Sequence, residues 1–294
     1  MPRHLNATFT NVRNGVAALS NEDNAPDMDS LTAKLQTWLA AQGYPLEMRV
    51  AREFKKKGVR VTSSDYYVDD ESGDYREIDV TARIPLCDLA TLNGDEVPSF
   101  LCAVIECKSA PGKPWVLFEG GADLHPVASV AQRFVLNAAS RHWDRYAMRI
   151  DPTKKPLTET LPLFDIGQNP AYSAVRSSLG KNREDAAYGA MVSVTKAAYA
   201  VANMYPHNGN MALHVAVPII VVDSPIFSCK LSESGEVQLE PIERGTIVWK
   251  KGVSKAHAVH SIITIVSEAA LPALCDDIAK TASHLRRSLP PWTS

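Results

Sequence analysis

Phe100-Leu101-Cys102-Ala103-Val104-Ile105-Glu106-Cys107-Lys108 is the stretch of sequence that decides the fold. Its apolar part is nearly continuous, which is typical of a central β-strand covered on both faces. The apolar run ends abruptly in an acid and a base. Because side chains alternate along a strand, Glu106 and Lys108 share one face. The sequence therefore predicts a buried strand that presents a carboxylate and an ammonium at one end.

A further carboxylate lies on the strand predicted just before this one. Strict alternation puts Glu77 and Asp79 on one side of that strand. It puts Ile78 and Val80 on the other side. If the two strands are neighbours, one edge of a hydrophobic sheet gathers two carboxylates and one ammonium.

This grouping of side chains has a chemical use. Hard carboxylate oxygens hold Mg²⁺ while leaving positions open for water, and the ion polarises a phosphodiester and lowers the pKa of bound water. Lys108 would position or activate that water and offset the charge of the transition state. Both roles need side chains on rigid strands.

The pattern resembles that of the PD-(D/E)XK nuclease superfamily, which has the restriction-endonuclease-like fold. In that family an acid on one strand is followed by acid-x-lysine on the next, and the matching residues are Asp79, Glu106, Cys107 and Lys108. The resemblance implies that Asp79 and Glu106 bind Mg²⁺, with Mn²⁺ as a substitute. It also implies that the backbone carbonyl of Cys107 adds a ligand and that Lys108 is catalytic.

The family also commonly has a glutamate on the helix that precedes the sheet, and Glu47 fits that place. Val50 and Phe54 follow it at helical spacing, which sets its side chain beside the buried stripe of the helix. The rival acid, Glu53, lies away from that face. The resemblance therefore implies that Glu47 is a further catalytic and metal-binding residue. Some relatives carry a glutamine on the following helix, where Gln132 is the candidate.

The whole chain predicts an α/β protein. We expect a restriction-endonuclease-like mixed central sheet flanked by helices, with additional C-terminal strands and a helix. The periodicity predicts strands at 59–63, 65–68, 75–84, 100–107, 115–118, 213–222, 226–231, 237–240, 246–250 and 262–266, and helices at 30–43, 45–57, 130–148, 186–205 and 270–287.

The domain organisation follows from the same patterns. Residues 1–29 are polar without sustained periodicity and are expected to form a flexible N-terminal arm. Residues 30–294 are expected to form a single domain. The stretch near 151–182, which is proline-rich as far as Pro170, is the alternative place for a boundary.

Composition and charge narrow the functional classes. The chain has 294 residues, 45% of them hydrophobic and 22% charged, and a net charge of −2, which argues against a generally basic surface that coats nucleic acid. The five cysteines show no paired spacing, so neither a zinc cluster nor a disulfide framework is indicated. A local cluster of basic residues is the candidate phosphate contact, and a solvated helix face is an equal alternative interpretation of it. The cluster consists of Arg49, Arg52, Lys55, Lys56, Lys57 and Arg60.

The sequence has no apolar run long enough to cross a bilayer, and no secretion signal is recognisable at its N-terminus. We therefore expect a cytoplasmic protein without membrane contact.

The expected function is a Mg²⁺-dependent endonuclease, a hydrolase of phosphodiester bonds, with DNA as its substrate. A homodimer or a partner protein would supply its specificity. By family analogy alone, its setting would be restriction or defence against phage and mobile elements. The alternative is a non-catalytic nucleic-acid-binding or scaffold subunit on the same fold.

Each motif residue also has an ordinary structural interpretation. Glu47 can complement the dipole of its helix, Asp79 can be exposed, and Glu106 with Lys108 can form a surface pair. Acid-x-lysine is a short motif that also occurs at 53–55, within a predicted helix. An unrelated α/β protein with a chance motif is therefore a further alternative. It predicts that Asp79 and Glu106 lie far apart.

Overall fold

The computed structural model describes residues 27–40, 42–86, 99–120, 157–167, 169–177, 186–203, 214–249 and 261–288. The chain divides into two compact units, residues 1–38 and 39–294. All of the described strands belong to the second unit.

The structure has these elements in chain order. The helices are α1 (Met28–Ala40), α2 (Tyr44–Lys56), the single turn α3 (Leu157–Thr160), α4 (Ala186–Asn203) and α5 (Leu271–Ser288). The strands are β1 (Arg60–Val68), β2 (Tyr75–Pro85), β3 (Phe100–Lys108), β4 (Trp115–Glu119), β5 (Ala171–Arg176), β6 (His214–Val222), β7 (Ile226–Leu231), β8 (Val237–Ile242), β9 (Arg244–Trp249) and β10 (Ser261–Ser267).

Within the described ranges, ten strands form one mixed sheet in the order β1-β2-β3-β6-β10-β9-β5-β4-β7-β8. β1, β2 and β3 make an antiparallel meander, and β3, β6 and β10 run parallel. β3 is thus an interior strand, and its residues 101–107 are all buried. The predicted α/β class and the predicted central strand are confirmed.

Helices cover both faces of this sheet. On one face, Val50 and Phe54 of α2 and Ile278 of α5 belong to one buried cluster with β2, β3 and β6. On the other face, Ala198 and Val201 of α4 pack against β3 and β6. The α2 stripe forms because apolar residues recur every four positions, and full burial of each large side chain contributes roughly 1.5–3 kcal/mol.

The boundaries differ from the predicted ones at a few places. α1 begins at Met28, two residues before the predicted start of this helix at Ser30, so the last residues of the predicted arm are helical. The two strands predicted at 59–63 and 65–68 are a single strand, β1. β5 was not predicted. The predicted helix 130–148, with Gln132, lies outside the described residues.

No helix in the part of the chain that the structure describes is both long and apolar enough to cross a membrane.

Candidate active site

The candidate site lies where β2 and β3 end their pairing. The antiparallel register ends with Val80 opposite Ile105, and the next residues on the two strands are Asp79 and Glu106. Just beyond this point, the backbone N–H of Cys107 donates to Oδ2 of Asp79 over 2.7 Å. The two candidate acids are therefore on adjacent strands, as the motif requires, and are not far apart as a chance motif predicts.

Asp79 faces an irregularity in β1. The register pairs Ser63 with Val80, so the next residue, Ser64, lies opposite Asp79. Ser64 has a φ of 51°, in the left-handed region that non-glycine residues rarely adopt. Ile78 packs in the cluster with α4, whereas Val80 packs in the cluster with α2 and α5. The prediction that Ile78 and Val80 share a side is wrong, because the regular alternation is broken at this step.

Both carboxylate oxygens of Glu106 have partners. Oε1 lies 2.5 Å from Nζ of Lys108, and Oε2 accepts a hydrogen bond of 2.9 Å from Oγ of Ser193 in α4. Glu106 is only 8% exposed, and the Lys108 side chain is 31% exposed. The predicted common face of Glu106 and Lys108 is confirmed. Their ion pair is not a fully exposed surface pair, since its acid is buried.

Glu47 reaches the same region from the first turn of α2. Burial raises the pKa of Glu47, and the nearby carboxylates of Glu77 and Glu106 raise it further, while Lys108 lowers it. Glu53 instead pairs with Lys56 over 2.6 Å. The structure thus brings Glu47, and not Glu53, into electrostatic contact with the two strand acids.

The charges of this cluster are unbalanced. Burial raises the pKa of Asp79 from 3.8 to about 7, and the carboxylates of Glu106 and Glu47 contribute to the rise. The Cys107 N–H and the ammonium of Lys108 act in the opposite direction. Several acids close to a single lysine repel each other, and a bound cation would relieve that repulsion.

The thiol of Cys107 is buried in the hydrophobic core. Burial raises its pKa well above the usual range, and the surrounding carboxylates add to the effect. Burial also raises the pKa of Cys102 to about 12. Both side chains remain neutral and pack in the core.

The atoms available as ligands determine whether the site suits a metal ion. In the ranges that the structure describes, no group of three or more His, Cys, Asp or Glu side chains is placed to hold a metal ion. Asp79 and Glu106 together offer hard carboxylate oxygens from adjacent strands. Mg²⁺ is commonly held by one or two carboxylates, with water and substrate phosphate at its other positions. The two acids fit that mode. Glu47 and the carbonyl of Cys107 stay predicted ligands.

The predicted basic cluster is partly neutralised. Arg49 pairs with Glu268, and Lys57 pairs with Asp276. The remaining exposed cations, for which no ion pair to a described residue is found, are Arg52, Lys55 and Arg60. Half of the cluster therefore stays a candidate phosphate contact.

Two residues at the site were not predicted. Asp223, directly after β6, accepts a hydrogen bond of 2.8 Å from the N–H of Ala110 and another from the hydroxyl of Ser109. It thereby holds the loop that follows Lys108. An acid at the end of a buried strand is the same signal that marked Glu106, so the sequence could have indicated Asp223. Ser193 carries no such signal, because a single serine in a helix rich in Ala, Val and Met does not indicate a polar site.

A separate cleft of about 600 Å³ opens between β4, β5, β9 and α5. Its polar lining includes Glu119, Asp165 and Thr246, together with an ion pair of Arg244 and Asp277. The carboxylate cluster does not line this cleft.

Comparison with known proteins identifies no family for this chain. No protein-family model, no curated protein and no solved structure matches the chain. The resemblance to PD-(D/E)XK nucleases therefore rests on the residues and geometry of this chain alone.

Proposed function

We propose that this protein is a metal-dependent endonuclease of the restriction-endonuclease-like type, which hydrolyses phosphodiester bonds in DNA. One observation carries the proposal. Asp79 and Glu106 lie beside each other on β2 and β3, with Lys108 in contact with Glu106 and Glu47 within electrostatic range.

The side chains have distinct roles in this proposal. Asp79 and Glu106 hold the ion, and Glu47 contributes negative charge beside them. When bound, Mg²⁺ polarises the phosphodiester and lowers the pKa of a coordinated water. Lys108 supplies the positive charge that orients the attacking water and stabilises the developing negative charge. The partly buried setting strengthens these interactions.

The architecture supports the same proposal. A mixed sheet has helices on both faces, and α2, the helix directly before the meander, carries Glu47. This is the arrangement that the family resemblance implies. The exposed Arg52 and Lys55 on α2 are suited to contact substrate phosphates.

A non-catalytic scaffold is the rival function. A scaffold has no need to keep repelling carboxylates and a lysine together at the end of two strands. Burial and the nearby carboxylates raise the pKa of Asp79, so its ionised form is unfavourable unless a cation balances the charge. Such local strain is typical of functional sites, which favours the enzyme.

Cleavage of supercoiled plasmid, single-stranded DNA and RNA by the purified chain tests this proposal. Cutting is expected with Mg²⁺ or Mn²⁺, and none is expected with EDTA. Lys108→Ala should reduce the rate at least about a hundredfold, since it removes a charge that stabilises the transition state.

Two variants serve as matched controls. Lys230→Ala removes an exposed lysine of β7. Glu53→Gln alters the acid of the other acid-x-lysine sequence, residues 53–55, which lies in α2. Both should cut at the native rate. Metal-independent cutting, or cutting that survives Lys108→Ala, would contradict the assignment. DNA binding without cutting would favour the scaffold.

A further inference from the structure

Glu106 is held by two different parts of the chain. Lys108 contacts Oε1 from the same strand, whereas Ser193 donates to Oε2 from α4, over 2.9 Å. A glutamate side chain has several rotatable bonds, and ordering it has an entropic cost. A donor fixed on a separate element restricts the carboxylate to one orientation.

α4 itself is anchored beside the site by a second polar contact. Lys196, one helical turn after Ser193, donates to both carboxylate oxygens of Asp69 over 2.9 and 3.0 Å. It also contacts Glu71 over 2.7 Å. Asp69 is only 4% exposed and lies at the start of the turn between β1 and β2. These contacts fix α4 to the same meander that carries Asp79.

Apolar packing fixes α4 on either side of Ser193. Ala190 and Val194 are buried in one cluster with β6 and β10, and Ala197 is buried in another with β3. The helix is therefore a rigid platform, and the hydroxyl of Ser193 is directed from it at Glu106. Rigid support of this kind is what a metal-binding carboxylate requires of its neighbours.

We propose that Ser193 is a positioning residue for Glu106, which orients the carboxylate for a divalent cation. This inference rests on the proposed function. With Oε2 held by Ser193, Oε1 is the oxygen that contacts Lys108. Loss of the hydroxyl leaves Glu106 in place but lets its carboxylate rotate, so cation affinity falls while the fold is retained.

Mn²⁺ binding measured by titration calorimetry without nucleic acid, at pH 8, tests the proposal on the full chain. Ser193→Ala is expected to weaken Mn²⁺ binding about tenfold, as is typical when a residue that orients a ligand is removed. Ser193→Thr keeps the hydroxyl and should restore most of the affinity. Circular dichroism and the melting temperature should change little in either variant.

Thr195→Val is the matched control. The hydroxyl of Thr195 donates to the carbonyl of Met191 within α4 and does not contact Glu106. The valine variant has the same shape without that hydroxyl, so its Mn²⁺ affinity should equal that of the native chain.

Each other outcome has a defined meaning. Equal affinity of the native chain and Ser193→Ala, while the native chain cuts DNA, would overturn the positioning role and leave the endonuclease proposal intact. Equal weakening by Ser193→Ala, Ser193→Thr and Thr195→Val would show a general disturbance of α4, which also overturns it. A native chain that neither binds Mn²⁺ nor cuts DNA would overturn both proposals.

Discussion

The backbone N–H of Cys107 donates to Oδ2 of Asp79 over 2.7 Å, so a side chain of β2 satisfies a backbone donor of β3 where the pairing of the two strands ends. Asp79 is therefore part of the sheet's hydrogen bonding as well as of the charged cluster. Its structural and chemical roles can be separated by substitution.

Asp79→Asn separates them, because asparagine keeps an oxygen acceptor for the Cys107 N–H but has no charge. The pKa of Asp79 is raised from 3.8 to about 7 in the folded state, so its contribution to stability is present at low pH and lost as pH rises through about 7. The free energy of unfolding of the asparagine variant, measured relative to that of the native chain, should therefore increase by on the order of 2 kcal/mol from pH 5 to pH 8. Urea unfolding at both pH values measures this gain.

Asp79→Ala is the companion variant, since it removes the acceptor too. It should be less stable than Asp79→Asn at both pH values, because it leaves the Cys107 N–H without its partner. An asparagine variant with no relative gain at pH 8 would show that Asp79 has an ordinary pKa.

Metal affinity should rise with pH over the same range. A carboxylate binds a cation only in its ionised form, and a pKa of about 7 leaves Asp79 mostly protonated in mildly acidic solution. Mn²⁺ binding is expected to be roughly 30-fold weaker at pH 5.5 than at pH 8. Titrations at pH 5.5, 6.5 and 8 provide the measurement. Affinity that is constant across this range would contradict the raised pKa.

The irregular backbone at Ser64 predicts a contrast between two adjacent serines. Ser64→Val should destabilise the chain by about 1–2 kcal/mol, because a β-branched residue disfavours a φ of 51°. Ser63→Val, at a position in the same strand that is also exposed, should be neutral or slightly stabilising. Thermal unfolding of the two variants distinguishes the positions. Equal effects would mean that β1 is regular at Ser64.

The contact between α4 and the β1–β2 turn predicts another contrast. Lys196→Met should lower the free energy of unfolding by about 2 kcal/mol, because it leaves the buried Asp69 without its main partner. The loss is moderate because the Lys196 side chain is itself 17% exposed. Lys56→Met breaks only the pair with Glu53 on α2 and should cost less than about 0.5 kcal/mol.

The pH dependence of this effect has a definite sign. Lys196 lowers the pKa of Asp69, so the stabilisation is present at neutral pH and lost as pH falls through that lowered pKa. The stability difference between the native chain and Lys196→Met should therefore shrink in acid. A difference that stays constant to pH 3 would show that the ion pair is not its source.

Local sequence signals predicted the elements that carry the site. The continuous apolar run of β3 indicated an interior strand, and Val50 and Phe54 indicated the buried face of α2. These signals work because the spacing of apolar residues along the chain indicates which face of a helix or strand is buried. The pairing of β2 with β3, which the motif required, is present in the structure. The chemical roles of Asp79, Glu106 and Lys108 stay predictions.

Features that depend on distant parts of the chain could not be read in this way. Ser193 contacts Glu106 across 87 positions of sequence, and nothing near Ser193 indicates that contact. The different packing of Ile78 and Val80 coincides with the left-handed backbone of the neighbouring strand at Ser64, and alternation within β2 could not reveal it. β5 is a strand of six residues that begins directly after Pro170, where the sequence pattern predicted no strand.

The central claim is that Asp79 and Glu106 share one divalent cation. Titration of the native chain with Mn²⁺ at pH 8, beside Asp79→Ala, Glu106→Gln and the control Glu53→Gln, tests it most directly. We expect one ion per native chain, binding at least about tenfold weaker in either site variant, and native affinity in the control. Native affinity in both site variants, or no binding by the native chain, would contradict the claim.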